Sequence, residues 1–164
     1  MTNSDLDAVV AAVRDQIDPD ESERRALAAA AAELESRVDD ALADLPVDAD
    51  VLQVGSTARG TWLSGDRDID LFVRFSPDLA REDLARYGLD VGHAVLPDGH
   101  EEYAEHPYVK GEYGGFDVDL VPCYDVPTAA GIRSAVDRTP FHNAYLVDHL
   151  DDELAGEVRV FKRF

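Results

Sequence analysis

Two pairs of aspartates are the residues of this sequence best suited to chemistry. Asp68 and Asp70 lie at the start of an apolar run, and Asp117 and Asp119 lie in the segment FDVDLVPCY. Side chains two residues apart on a strand point to the same face and are separated by ~7 Å along it. Carboxylates held this close repel each other unless a cation is nearby. The spacing therefore suggests a cation site.

A metal site requires the two pairs to meet. If the two strands are neighbours, up to four carboxylates converge, and hard oxygen ligands of this kind suit Mg²⁺. One Asp-x-Asp among 35 acidic residues can equally be solvated surface charge. A calcium-binding loop starting at Asp66 is excluded, because Leu71 stands where that loop needs glycine and Pro77 where it needs glutamate. A glycosidase could also use two carboxylates, but nothing else in the chain indicates sugar binding.

The stretch VGSTARG, just before the first pair, could bind an anion. A predicted strand ends at Gly55-Ser56, where backbone N–H groups and a hydroxyl can approach a phosphate, and Arg59 adds a positive charge. Anion binding followed by metal-binding carboxylates is what phosphoryl transfer requires. The sequence contains neither the Gly-x-x-x-x-Gly-Lys-Ser/Thr P-loop nor a Gly-x-Gly-x-x-Gly motif.

The bulk composition predicts one globular domain in a salt-rich, reducing environment. The 164 residues carry a net charge of -20 and only two lysines, Lys110 and Lys162. An acidic, lysine-poor surface is typical of halophilic proteins and argues against a general polyanion-binding surface. The single cysteine, Cys123, excludes an internal disulfide. No secretory signal or membrane-length apolar run is present, so we expect a cytoplasmic protein without membrane contact.

The elements that must position these residues can be read from apolar periodicity and turn residues. In chain order we predict a helix at 6–17, a helix started by Asp18-Pro19 and reaching Leu45, strands at 50–54 and 69–75, a helix at 81–94, a strand at 103–113, a Gly114-Gly115 turn, a strand at 116–121 ended by Pro122, and helices after Pro140 and over 151–164. This order predicts an α+β fold, with a small mixed or antiparallel sheet and helices packed on one side.

The sequence also resembles a known superfamily. Gly55-Ser56 followed by Asp68-Ile69-Asp70 resembles the signature of the polymerase β-like nucleotidyltransferases. At closer range, five ordered segments resemble archaeal (class I) CCA-adding tRNA nucleotidyltransferases: VGSTARGTWLSGDRDIDLF, YAEHPYVKG, DVDLVPCYDV, IRSAVDRTPFH and EVRVFKRF. The resemblance covers nearly the whole chain and is weakest before Val51.

The resemblance implies roles for named residues. Asp68, Asp70 and Asp119 are implied to be the catalytic carboxylates that hold two Mg²⁺ ions, with Asp117 as a nearby auxiliary. The residues implied to bind the nucleotide are Gly55, Ser56, Arg59, His142 and Lys162.

The resemblance further implies the polymerase β-like fold, CTP and ATP as substrates and the 3′ end of tRNA as partner, with a homodimer open for the full-length enzyme. It divides the chain into an N-terminal helical segment at 1–45, a catalytic head at 46–140 and the start of a helical region at 141–164. Family members are longer, and the chain shows no helix C-cap at its end, so we expect a truncated head. Two alternatives stay open: a small nucleotidyltransferase that adenylylates a protein or small molecule, and a non-catalytic nucleotide-binding head.

Overall fold

The computed structural model describes residues 2–164, which form a five-stranded sheet with six α-helices. The elements in chain order are α1 (Asn3–Ile17), α2 (Glu21–Ala43), β1 (Ala49–Val54), α3 (Gly55–Arg59), β2 (Asp68–Phe75), α4 (Arg81–Val95), β3 (His100–Tyr103), β4 (Pro107–Tyr113), β5 (Phe116–Tyr124), α5 (Arg138–His149) and α6 (Asp152–Arg163). Two 3₁₀ turns, Ala129–Gly131 and Ala135–Asp137, lie between β5 and α5. None of the helices in this described range has the length and apolar character needed to cross a membrane.

The sheet is mixed, with the strand order β1-β2-β5-β4-β3. The central pair β2 and β5 is parallel, and the other neighbours are antiparallel. Gly114 and Gly115 form the predicted two-residue turn between β4 and β5, with φ angles of 60° and 81°. Such turns need positive φ at both positions, which glycine adopts without strain. The predicted α+β class with a mixed sheet is confirmed.

The main core lies between one face of the sheet and helices α2 and α4. Leu34 and Val38 of α2 and Leu84 of α4 are fully buried against Ile69 and Leu71 of β2. Alternate side chains of the same strands point to the opposite face. That face carries the aspartates and a smaller apolar cluster of Val54, Phe72, Val121 and Cys123. One face of each central strand thus packs in the main core, and the other face carries the aspartates that are candidates for chemistry.

Helix α2 begins later than the sequence predicted. Its N-cap is Asp20, which accepts the Glu23 amide at 2.8 Å while the Glu23 carboxylate accepts the Asp20 amide at 2.9 Å. This reciprocal capping box satisfies two amides that an N-cap at Asp18 would leave free. Asp18 instead accepts hydrogen bonds from Arg14 and Arg159.

The predicted strand at 103–113 is shorter in the structure, where it is β4, and the strand before it, β3, was not predicted. β3 and β4 are antiparallel neighbours that pair from His100 with Lys110 to Tyr103 with Pro107. The three residues between them make the turn, in which the Ala104 amide donates to the His106 carbonyl. The sequence prediction missed this hairpin because its turn, Ala-Glu-His, contains no glycine, proline or asparagine.

Strand β5 also continues through Pro122 to Tyr124, although Pro122 was predicted to end it. The Asp125 amide donates to the Phe75 carbonyl, at the end of β2. Amides alternate sides along a strand, so the nitrogen of Pro122 faces β4, and β4 pairs with β5 only as far as Leu120. The missing N–H therefore costs no ladder hydrogen bond, which is the condition under which proline is tolerated in a strand.

Candidate active site

The parallel pairing of β2 and β5 brings the two aspartate pairs side by side. Asp68 lies opposite Asp117, and Asp70 lies opposite Asp119. All four alternate with core residues such as Ile69, so they share the face turned away from α2 and α4. A site with four carboxylates requires that the two strands be neighbours. They are neighbours, and their register places the two aspartate pairs directly opposite each other.

Asp70 lies at the centre of this carboxylate row and is only partly exposed. Burial, followed by the negative charges of Asp119 and Asp68, raises the pKa of Asp70 to about 6. Lys110 and Arg59 act in the opposite direction on the same pKa. A carboxylate under this repulsion is stabilised by any cation that comes close, whether a proton or a metal ion.

Gly55 allows the start of α3 to approach Asp70. Its φ is 84°, and a Cβ atom at this position would overlap Oδ2 of Asp70. Glycine is therefore required both by the backbone conformation and by the close approach. The first turn of α3 begins directly beside the carboxylates, and no side chain caps it.

A cavity of about 400 Å³ opens next to the row. It is lined by Val54, Gly55, Arg59, Asp70, Phe72, Ala104, Tyr108, Asp119, Val121, Val136 and Thr139. An apolar floor with a few charged groups at one edge is typical of a small-molecule site. A cleft of about 440 Å³ lies near the far ends of β1 and β2, but its lining contains no basic side chain to receive a phosphate. We therefore place the candidate site in the cavity beside the carboxylates.

Lys110 on β4 is the basic residue bonded directly to the row. Its Nζ donates to Oδ1 of Asp119 at 2.9 Å, and the two residues are register partners. The hydrogen bond to Asp119 raises the pKa of the Lys110 ammonium. The sequence analysis did not assign Lys110 to the site, although the Gly114-Gly115 turn fixes it opposite Asp119.

The predicted nucleotide-binding residues are only partly gathered. Arg59 lines the cavity, and its Nη1 donates to Oδ1 of Asn143 on α5 at 3.4 Å. Ser56 lies in α3 beside Gly55, and its carbonyl accepts the Thr61 amide. His142 is exposed on α5 and does not line the cavity.

Lys162 does not reach the cavity lining either. Its Nζ donates to the Thr61 carbonyl at 2.8 Å, just after α3. On the same helix, Arg159 is buried and donates to the Gly60 carbonyl at 2.6 Å and to Asp18 at 2.8 Å. Helix α6 thus holds the segment that follows α3. Sequence reasoning missed Arg159, because an arginine in an amphipathic helix gives no sign of being buried.

A buried polar network supports the opposite wall of the cavity. The Asp137 carboxylate accepts the amides of Tyr124, Arg133 and Ser134 at 2.8–2.9 Å. The Ser134 hydroxyl lies 3.1 Å from Nε2 of buried His106. The network joins the β3–β4 turn, which carries Ala104, to the segment that carries Val136 and Thr139. The sequence analysis did not single out these polar residues, whose partners are distant in sequence.

The donor chemistry of the row fits a hard divalent cation, because it consists of carboxylates that repel one another. As the side chains stand, no group of three or more His, Cys, Asp or Glu residues between positions 2 and 164 is arranged closely enough to enclose a metal ion. One oxygen of Asp119 is turned to Lys110 instead.

The chain is similar to known proteins in both sequence and fold. Residues 33–142 match the nucleotidyltransferase domain family. The chain is 67% identical to the CCA-adding enzyme of Halorubrum lacusprofundi over 160 residues, and 66% identical to that of Halobacterium salinarum over 161 residues. Each match covers 98% of this chain but only 35% and 36% of the respective relative. The chain therefore spans about a third of the length of these relatives, which come from halophilic archaea.

The fold is similar to that of Cid1, whose structure was described for its RNA terminal uridylyl transferase activity. The TM-score is 0.72 at 18% sequence identity, and the match covers 98% of this chain and 47% of Cid1. At this identity the likeness concerns the fold alone. Together with the match to the nucleotidyltransferase domain family over residues 33–142, it confirms the predicted nucleotidyltransferase fold.

Proposed function

The chain belongs to the nucleotidyltransferase domain family, and from this premise we propose that it is the catalytic head of an enzyme that adds CMP and AMP from CTP and ATP to the 3′ end of tRNA. The similarity to CCA-adding enzymes supports the choice of substrates. One observation carries the chemistry: the in-register pairing of β2 with β5 places Asp70 beside Asp119, at the edge of a cavity that Gly55 and Arg59 also line.

In the proposed reaction, the 3′-hydroxyl oxygen of the tRNA bonds to the α-phosphorus of the nucleotide and releases its proton to solvent water, and the bond from that phosphorus to the leaving pyrophosphate breaks. Asp68, Asp70 and Asp119 would hold two Mg²⁺ ions, which supply charge stabilisation to the reacting oxygens when bound. No side chain is needed as a general base, since catalysis of this kind rests on positioning and electrostatics.

The remaining proposed residues act on the triphosphate. Arg59 would neutralise phosphate charge from its place in the cavity lining. Ser56, one residue after Gly55 in α3, would offer its hydroxyl to a phosphate oxygen. Lys162 and His142 would contact the nucleotide only after moving, because Lys162 bonds to Thr61 and His142 is exposed on α5. We propose Asp117, on the exposed edge of the row, as an auxiliary group.

Within this proposal, residues 46–140 form the catalytic head, residues 1–45 pack on it, and residues 141–164 begin a helical region. The proposed place of action is the cytoplasm, where the tRNA acceptor and both nucleotides are present. A homodimer is proposed only for the full-length enzyme.

The test is incorporation of labelled nucleotide. The purified chain, in molar KCl with Mg²⁺, is incubated with α-³²P-labelled CTP or ATP and tRNA lacking its 3′ CCA. We expect label in the tRNA from the wild type and none from Asp68→Asn. Label in protein instead of tRNA would support an adenylylating enzyme. A folded wild type that labels nothing would refute activity of this head on its own, and a fully active Asp68→Asn would refute the metal assignment.

A further inference from the structure

Lys110 is placed unusually for this protein. It is one of two lysines in a chain with 35 acidic residues, and its ammonium is bonded to a proposed metal ligand. A surface lysine of a protein with a net charge of -20 has many acidic residues available to it. Lys110 lies instead on the site face of β4, with Asp119 as its register partner and Glu112, which is paired with Asp117, two residues further along.

The contact occupies one of the two carboxylate oxygens that Asp119 could offer to a metal ion. Nζ of Lys110 lies 2.9 Å from Oδ1 of Asp119, which is a hydrogen-bonding distance. While this hydrogen bond is present, the ammonium group excludes a metal ion from the same lone pair. The field of Lys110 also extends to Asp70, because the lysine lowers the pKa of that residue. One ammonium thus partly offsets the charge of two carboxylates in the row.

The ion pair between Lys110 and Asp119 can also break without a large change in the structure. The Lys110 side chain is 40% exposed and that of Asp119 is 25% exposed. Ion pairs with this much exposure contribute little to stability, and a four-carbon stem lets the ammonium move into solvent without moving β4. Breaking the contact is therefore inexpensive, provided that another cation replaces it.

We propose that Lys110 is an exchangeable counter-ion of Asp119, which neutralises the carboxylate row while no metal is bound and is displaced from Asp119 when a divalent cation binds. This inference rests on the proposed function only in taking the row as a metal site. It reduces the repulsion in the row of the metal-free protein, and it sets the affinity for the cation below the value that the carboxylates alone would give.

The alternative role, in which Lys110 orients Asp119 as a metal ligand, predicts the opposite sign. If Lys110 competes with the metal, removing its charge makes the metal bind tighter. If Lys110 positions the carboxylate, removing it makes the metal bind more weakly. The sign of the change in metal affinity therefore separates the two roles without any measurement of turnover.

The experiment titrates the protein with Mn²⁺ in molar KCl and measures free Mn²⁺ by electron paramagnetic resonance, with Mg²⁺ competition to confirm the site. Lys110→Met keeps the apolar stem and removes the charge, and we expect it to bind Mn²⁺ about three- to tenfold tighter than the wild type. Lys110→Arg keeps the charge and should stay within about twofold of the wild type. Arg25→Met removes a remote charge from the exposed face of α2, where Arg25 pairs with Glu21, and serves as the control for net charge.

Tighter binding by Lys110→Met, with Arg25→Met unchanged, supports the proposal. Unchanged or weaker binding by a folded Lys110→Met overturns it and leaves the proposed function standing. A folded wild type that binds no Mn²⁺ overturns the metal site itself, and the counter-ion proposal falls with it. Equal tightening in Lys110→Met and Arg25→Met would assign the effect to net charge and also overturn the proposal.

Discussion

The half-buried Asp70 and the fully buried Asp137 lie near opposite ends of β5, and their surroundings differ completely. Asp137 has no exposed surface, and its two carboxylate oxygens accept three backbone amides. Burial, together with the neighbouring carboxylates, raises the pKa of Asp70 to about 6. Asp137 stabilises the fold by binding backbone amides, whereas the negative charge of Asp70 destabilises the fold because neighbouring carboxylates repel it.

The difference shows how a structural carboxylate can be told from a functional one. Amides that converge on Asp137 are satisfied inside the protein, so nothing further has to bind there. At Asp70 the protein brings like charges together with only partial compensation from Lys110 and Arg59. Strongly perturbed groups beside a cavity are candidates for chemistry. Substitutions at these two aspartates and at their neighbours should therefore have effects of different kinds.

Replacing Asp119 by Asn should remove most of the proposed activity. The amide keeps the size of the side chain but loses the charge that a divalent cation needs, so we expect about a 10²- to 10³-fold loss of nucleotide incorporation. Asp117→Asn is the matched control on the same strand face, and its loss should be less than about tenfold because Asp117 is exposed. Equal losses in the two variants would contradict the assignment of Asp119 as the principal ligand on β5.

Replacing Asp137 by Ala should affect stability instead. Three backbone amides lose their acceptor, which should lower the free energy of unfolding by roughly 3 kcal/mol, about 1 kcal/mol for each amide. Asp125→Ala is the control, since the Asp125 carboxylate is 56% exposed and makes only a 3.7 Å contact with Arg74. Chemical denaturation in constant high salt measures both. A change below 1 kcal/mol for Asp137→Ala would show that water satisfies these amides.

Replacing Gly55 by Ala should damage both stability and the site. The positive φ and the overlap with Asp70 together should cost about 2 kcal/mol, and Asp70 must move to make room. Gly60→Ala tests the backbone strain alone, because Gly60 has a φ of 72° with open space around it; it should cost about 1 kcal/mol. The comparison fails if Gly60→Ala lowers nucleotide incorporation as much as Gly55→Ala does.

Replacing Asp70 by Asn should stabilise the metal-free protein at neutral pH. The folded pKa of Asp70 is raised above its ordinary value, so the ionised group favours the unfolded chain, and stability is lost as the pH rises through about 6. In EDTA at pH 7.5, we expect the variant to melt about 2–4 °C above the wild type. The difference should vanish near pH 4, where the wild-type carboxyl is protonated when folded. A variant less stable than the wild type at pH 7.5 would disprove the stored repulsion.

Much of this arrangement was predictable from local pattern. Period-two alternation placed Asp68 with Asp70 on one face, and the Gly114-Gly115 turn was identified as a hairpin. The predictions failed where the role of a residue depends on contacts with residues distant in sequence. The local pattern predicts a helix cap at Asp18, but Asp18 pairs with Arg159, 141 residues away in sequence. It also predicts that Pro122 ends a strand, but the effect of this proline depends on where β4 stops.

The sequence by itself determined which side chains share a strand face and, through a two-residue turn of fixed register, that Lys110 lies opposite Asp119. These are consequences of backbone geometry over a few residues. Only the tertiary structure decided that β2 and β5 are parallel neighbours, that Asp70 is repelled by Asp119, and that Asp137 is enclosed by amides. Such contacts join residues distant along the chain, and their energies depend on burial and on neighbouring charges, which exist only once the chain has folded.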